Sequence, residues 1–366
     1  MKNNQQLLQR FFSEEVIALE RSSLFDIAAE GKNSTFDFAK VEGMLLGLAI
    51  GDALGNTSES LNPGPRYQRY GEIKDYLPNP YVGFEEMGTP SDDTQMAFWT
   101  LEQLIEDGQF IPEHLANKFS TERIVGIGNT VLSFVSSMQR GTDWFEAGPH
   151  SAGNGALMRI APILVPHLKT GGTELWADTA LCAMMTHNDH TSTASCLAFI
   201  AMLWELLDLD APPKRTWWVE KFTQICSPLE GRAKLSPRGG QYVDKFEGSL
   251  SQFCIEHVVA ATLEDSDYKI AMDSWYSGAF LLETVPSVLL ILSKFGHDPE
   301  EAIVRAVNDT KDNDTVAAIV GAAVGALHGK KGLPIRWINA HTGRTRTKDD
   351  GRIFELIETA RGLFWN

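Results

Sequence analysis

The chain has 366 residues, enough to bury a substantial core without disulfides or metals acting as staples. Its 48 Asp and Glu against 32 Lys and Arg leave a formal charge of -16. That balance disfavours a broad nucleic-acid surface and attachment to an anionic membrane leaflet, so neither is expected as a partner. The four cysteines, Cys182, Cys196, Cys226 and Cys254, form no C-x-x-C pair, and the opening MKNNQQLLQRFF lacks the apolar core of a secretory signal. A reducing, cytoplasmic location is the expectation.

Residues 1–40 differ in character from the rest of the chain. Leu7, Leu8, Phe11, Phe12, Val16, Ile17 and Leu19 fall on an approximately helical period, followed by a loop-like stretch from Gly31 to Thr35. Two placements are open for this N-terminal extension: an arm folded on the body, or a projecting element whose apolar face receives another protein.

From Gly43 the pattern turns helical. Glycines at 43, 47, 51 and 55 recur every four residues among leucines and isoleucine. Glycine costs about 1 kcal/mol relative to Ala within a helix, so four on one face imply a second backbone packed very close. Helical spacing continues over Gln95–Glu106, Thr191–Leu207 and the almost wholly apolar Gly278–Phe295, where Pro286 is a potential kink. Asp298-Pro299-Glu300-Glu301 reads as a helix start. A second smooth ridge runs through Ala317, Ala318, Gly321, Gly325 and Gly329, and Val316–Leu327 is too short to span a bilayer. The two ridges are expected to cross in the centre of one all-α domain, residues 41–366.

Acidic residues gather where these helices begin. Asp309, Asp312 and Asp314 precede the second ridge, with Thr315 following. One carboxylate there is explained by capping, three less easily; the Gly and Glu positions of an EF-hand are missing. Ser91-Asp92-Asp93-Thr94 is a similar cluster ahead of another apolar helix. Alone it reads as a capped turn. Together the two clusters describe an all-oxygen cage suited to Mg2+ or Mn2+. His187 and His190 have no cysteine partner, which argues against zinc.

The chain resembles the ADP-ribosylglycohydrolase family. The matching stretches are Gly43–Gly55 followed by Glu59, Ser91–Thr94, Gly153–Arg159, Thr186-His187 and Asp312–Thr315, all in family order. The resemblance implies a pair of divalent cations, Mg2+ or Mn2+, held by Ser91, Asp92, Asp93, Asp312, Asp314 and Thr315. It implies that Glu59 and Asp92 are the acid-base candidates. It places Ser151, Gly153, Asn154, Gly155, Met158 and His187 against the ligand, where glycines let backbone amides approach phosphate.

Two departures stand out. Thr310-Lys311 occupies a place where the family commonly has two glycines, and Ser91 stands where many relatives have Thr. The long N-terminal extension resembles the family's bacterial immunity branch, which implies a cognate ADP-ribosyltransferase toxin bound through residues 1–40. The implied activity is removal of ADP-ribose from arginine side chains of modified proteins. Its alternatives are a non-catalytic immunity factor acting by occlusion, or hydrolysis of serine-linked or O-acetyl-ADP-ribose.

Overall fold

The N-terminal residues Asn4–Ser13 form helix α1, and the apolar spacing explains which face it buries. Leu8 and Phe11 are buried, and the Phe11 ring meets Trp144 edge-on at 5.9 Å. In this computed structural model, which describes residues 4–264 and 267–366, the strap after α1 lies along the body. Asn188 clasps it from both sides, accepting from Ala18 N at 2.8 Å and donating to Val16 O at 2.8 Å. The indole N–H groups of Trp176 and Trp204 donate to the carbonyls of Ile27 and Glu30. These bonds satisfy backbone groups that packing would otherwise leave orphaned.

The remaining elements that shape the site are helices α2 (Ala39–Gly55), α3 (Pro63–Tyr70), α4 (Asp92–Asp107), α5 (Asn129–Gln139), α6 (Glu174–Met184), α7 (His190–Leu206), α8 (Leu281–Phe295), α9 (Pro299–Asp309), α10 (Asn313–His328) and α11 (Arg352–Phe364). Among the described residues strand pairing is limited to isolated bridges, so the molecule is all-α as its periodicity predicts. No helix among them is long and apolar enough to cross a membrane.

The two glycine ridges belong to α2 and α10, which run antiparallel in direct backbone contact. Gly47 faces Gly321, Gly51 faces Ala317, and a Cβ on Gly47 or Gly321 would collide with the other's carbonyl. Such an approach gathers many dispersion contacts at once, which offsets the low helix propensity of glycine. Antiparallel register has a second result: the last turn of α2 meets the first turn of α10, with Gly55 against the Asp314 backbone.

Two boundaries differ from the sequence expectation. Helix α4 begins at Asp92, so both aspartates lie in its first turn, with Ser91 as the cap accepting from Asp93 N at 3.4 Å. Helix α8 begins at Leu281, not Gly278. Its lead-in pairs with the 152–154 segment: Leu281 N donates to Ala152 O at 2.9 Å and Asn154 N to Ala279 O at 3.1 Å. Tertiary pairing overrides local apolarity there. Pro286 lies inside α8, and Asp298 caps α9 by accepting from Glu301 N.

Candidate metal centre and active-site cavity

The helix starts of α4 and α10 and the helix end of α2 converge on one point. Carboxylate oxygens of Asp52, Asp93 and Asp314 lie within 4.8 Å of one another, and so do those of Glu59, Asp312 and Asp314. Each half of the predicted cage therefore meets the other. The N-terminal dipoles of α4 and α10 both favour negative charge here, yet dipoles alone do not compensate so many carboxylates.

The hydrogen bonding separates capping from unspent acid. Ser91 caps α4, but Asp312, at the cap position of α10, makes no capping bond. Its carboxylate instead accepts from Asn154 Nδ2 at 2.5 Å. Asp314 accepts its neighbour's N–H, Thr315 N, at 2.9 Å. The Oδ1 atom of Asp93 is fully buried with no hydrogen-bond partner. A buried carboxylate oxygen without a donor is costly unless a cation meets it.

Electrostatics report the same strain. Burial and then the Asp52 charge raise Asp92 to about 8, and burial raises Asp312 to about 6 although Asn154 partly holds it down. Burial, with Asp52 the next contributor to Asp93 and Asp312 to Asp314, pushes both well above the carboxylate range. Glu59, open to solvent on one side and hemmed in on the other, is also raised, by desolvation and the Asp52 charge. Acids this close do not all ionise without positive charge among them. The donor set, oxygen only, the buried orphan atom and mutual repulsion fit one or more hard divalent cations.

Asp52 was not among the residues singled out in the sequence. It accepts from Ser91 N at 2.9 Å, Thr94 N at 3.0 Å and Thr94 Oγ1 at 2.5 Å, fastening α2 to the first turn of α4. A single carboxylate within the otherwise apolar Gly43–Gly55 stretch was the available signal. Arg66 from α3 is a second omission. Fully buried, it donates to the carbonyls of Leu61, Val307 and Thr310 at 2.7 to 2.9 Å, bracing the turn that carries Asp312.

A cavity of about 400 Å³ opens over the acids, a size suited to a small-molecule ligand. Glu59, Asp92, Asp93, Asp312, Asp314 and Thr315 form one wall; Ser151, Gly153, Asn154, Gly155, Met158 and His187 form another. Ser91 lies behind the first wall, with its Oγ 3.2 Å from Asp93 Oδ2. Ser151 Oγ pairs with Thr130 Oγ1 at 3.0 Å and accepts from Gly153 N at 3.3 Å, and Asn154 Nδ2 also donates to Thr284 Oγ1. A Cβ on Gly155 would press the His187 ring at 2.8 Å, so only glycine lets that imidazole stand behind the loop. Burial, and then the Arg159 charge, pushes His187 down to about 3, so it is a neutral group at physiological pH. Its Nδ1 bonds Thr186 Oγ1, which in turn accepts from Arg159.

The segment 126–130 also lines the cavity and carried no sequence motif. Gly126 takes φ +75, a backbone region that favours glycine, close to Asp92 Oδ1. Lys311 is turned onto the Tyr276 ring at 3.8 Å. Near the C-terminus Arg344 pairs with Asp350, and Arg346 with Glu122 and Glu102.

The scaffold is all-helical with an acid-walled, ligand-sized cavity, and a family model matches it over most of its length. The chain belongs to the ADP-ribosylglycohydrolase family, whose model matches residues 33–362, and hydrolysis of ADP-ribose linkages is the family's activity. It is 30% identical over 308 residues to an uncharacterized protein of Archaeoglobus fulgidus, covering 82% of this chain and 90% of that one. It is 29% identical to ADP-ribosylarginine hydrolase Tri1 of Serratia proteamaculans, over 82% of this chain and 74% of the relative. It is 25% identical to ADP-ribosyl-[dinitrogen reductase] glycohydrolase of Rhodospirillum rubrum, over 81% and 88%. A solved structure described as an ADP-ribosylglycohydrolase-related protein complex superposes with a TM-score of 0.65 at 24% identity, covering 89% of this chain and 97% of that chain; the fold is shared.

Proposed function

We propose that the protein hydrolyses the N-glycosidic bond joining ADP-ribose to arginine side chains of modified proteins. The observation that carries this reading is the convergence of unspent, mutually repelling carboxylates, with a buried orphan oxygen on Asp93, at the floor of a ligand-sized cavity. The likeness to two Tri1 hydrolases, at 29% and 28% identity, supports arginine as the acceptor.

Asp93 and Asp314, joined by Ser91, Asp92, Asp312 and Thr315 and tied in place by Asp52, would hold a pair of divalent cations, Mg2+ or Mn2+. Bound there, such ions supply positive charge that orients ribose hydroxyls and offsets charge developing in the transition state. The chain's own groups do the rest. The Gly153–Gly155 segment offers backbone N–H groups to the diphosphate, and neutral His187 and Met158 shape the wall behind it. In the reaction the bond from the anomeric carbon to the guanidine nitrogen breaks and a bond to a water oxygen forms. Glu59 or Asp92 takes a proton from that water, and the departing guanidine gains one. Proton transfer of this kind is worth about 10²- to 10⁴-fold.

The deciding assay incubates the purified protein with ADP-ribosylarginine and ADP-ribosylserine substrates in Mg2+, with and without EDTA. Release of ADP-ribose from the arginine substrate alone, abolished by EDTA and by Asp92→Ala or Asp314→Ala, is the expected result. Undiminished turnover by both variants would sink the mechanism, and preference for the serine substrate would reassign the linkage.

A toxin partnership, implied by the resemblance, is a second reading, although residues 4–32, which precede the family match, are folded on the body with Leu8 and Phe11 of α1 buried. Mixing an arginine-specific ADP-ribosyltransferase with the Asp314→Ala protein tests it. Suppression of transfer by a variant unable to hydrolyse would establish occlusion; unimpeded transfer removes the partnership.

A further inference from the structure

Charge on the cavity walls is lopsided. The acids at the floor, unless met by bound cations, repel a ligand bearing phosphates, and among the described residues lining the cavity Arg238 is the one cation, His187 being neutral. It enters from an irregular segment far in sequence from every motif. Its guanidinium lies over the Phe280 ring at 4.4 Å. Phe280 in turn forms an isolated antiparallel bridge with Gly153, so the cation stands beside the glycine segment.

Arg238 is also loosely committed. Its side chain is 58% exposed, and its Nε and Nη2 reach the Glu283 oxygens at 3.4 Å each, longer than a strong charge-assisted pair. Stacking on an aromatic face fixes the plane of the guanidinium while leaving its outer N–H groups open. A planar fork held in that manner matches two oxygens of a phosphate.

We propose that Arg238 is the side chain that binds the diphosphate of the ligand, exchanging its weak contact with Glu283 for a bidentate contact to phosphate. The inference rests on the proposed function for the identity of the ligand, an ADP-ribose unit. It assigns Arg238 to affinity, not to bond cleavage. The guanidinium supplies the positive charge that a doubly anionic group needs to settle against an acidic floor.

The test measures binding of ADP-ribose to the Mg2+-loaded full chain by calorimetry, and the KM and kcat of hydrolysis, for wild type, Arg238→Ala, Arg238→Lys and Glu283→Gln. Arg238→Ala is expected to weaken ADP-ribose by about 10- to 100-fold and raise KM alike, with kcat changed by less than about threefold. Arg238→Lys should recover part of the affinity. Glu283→Gln separates ligand binding from mere bracing of the loop, because it frees Arg238 and should leave affinity equal or tighter. Equal weakening by Glu283→Gln and Arg238→Ala would overturn the proposal in favour of a structural ion pair. Unchanged affinity in Arg238→Ala beside a wild type that binds would overturn it alone, whereas a wild type blind to ADP-ribose would overturn the function reading itself.

Discussion

Helix α4 carries buried carboxylates in its first turn and again three turns in, and their surroundings are opposite. Three turns in, Glu102 is ringed by cations, with Lys118 at 2.8 Å, Arg352 at 2.7 Å and Arg346 at 3.2 Å. Burial would raise Glu102, but these bonds, led by Lys118 and Arg352, hold it at about 2. At the helix start Asp92 and Asp93 face other acids, and Asp92 stands at about 8. The same helix thus uses a carboxylate once as a fully matched stabiliser and once as an unmatched charge. The unmatched set is where function is proposed, because natural chains keep such strain where chemistry needs it.

The most severe way to break this contrast is to remove the frame that holds the unmatched set together. Gly321→Val places a branched side chain against the Gly47 carbonyl and should cost about 3 kcal/mol or more, leaving little folded protein at 37 °C. A melting temperature within a few degrees of wild type would show that backbone contact does not set the frame.

Next, one residue at each end of α4 can be neutralised. Glu102→Gln should lose about 3 kcal/mol in urea unfolding at pH 7, the equivalent of a carboxylate held at about 2 instead of 4.5. That contribution is complete above pH 4.5 and fades as pH falls toward 2, so the two proteins should converge in acid. Asp93→Asn should do the reverse: metal-free stability equal to or above wild type, with Mg2+ affinity reduced at least about 10- to 100-fold by calorimetry. Parallel destabilisation by both variants would erase the distinction.

The last effect is a pH trend. Acids raised in the folded state bind more protons there than when unfolded, so metal-free stability should fall as pH rises from about 4 through about 8, the span set by Asp312 and Asp92. Saturating Mg2+ should return about 2 to 3 kcal/mol, with the larger gain at pH 8 than at pH 6. A Mg2+ gain that is flat with pH, followed by thermal melts, would mean the acids are matched some other way.

Much of this was legible in the amino-acid order. Glycines four apart admit hardly any reading besides close helix packing, and both ridges proved to be the partners of each other. The acid cluster at residues 309–315 announced itself by exceeding what capping requires, and it gave weight to residues 91–94, which alone read as a capped turn. What escaped was whatever depends on distant strokes of the chain meeting. Asp52 looks like one polar residue in an apolar motif until Ser91 and Thr94 are seen donating to it. Arg66 and Arg238 sit in segments without periodicity, and their roles come from carbonyls and an aromatic ring supplied by residues far away in sequence. The onset of α8 was misplaced because an apolar run does not reveal that its first residues will pair with another segment.

The α2–α10 contact has one more implication. Because main chain touches main chain with no side chain interposed, no rotamer change can absorb a shift between these rods. The gap between the two acidic turns is consequently a fixed gauge, inherited from peptide geometry. Drift elsewhere in the interior leaves it untouched, and tuning of ligand preference is confined to the loops around the rim.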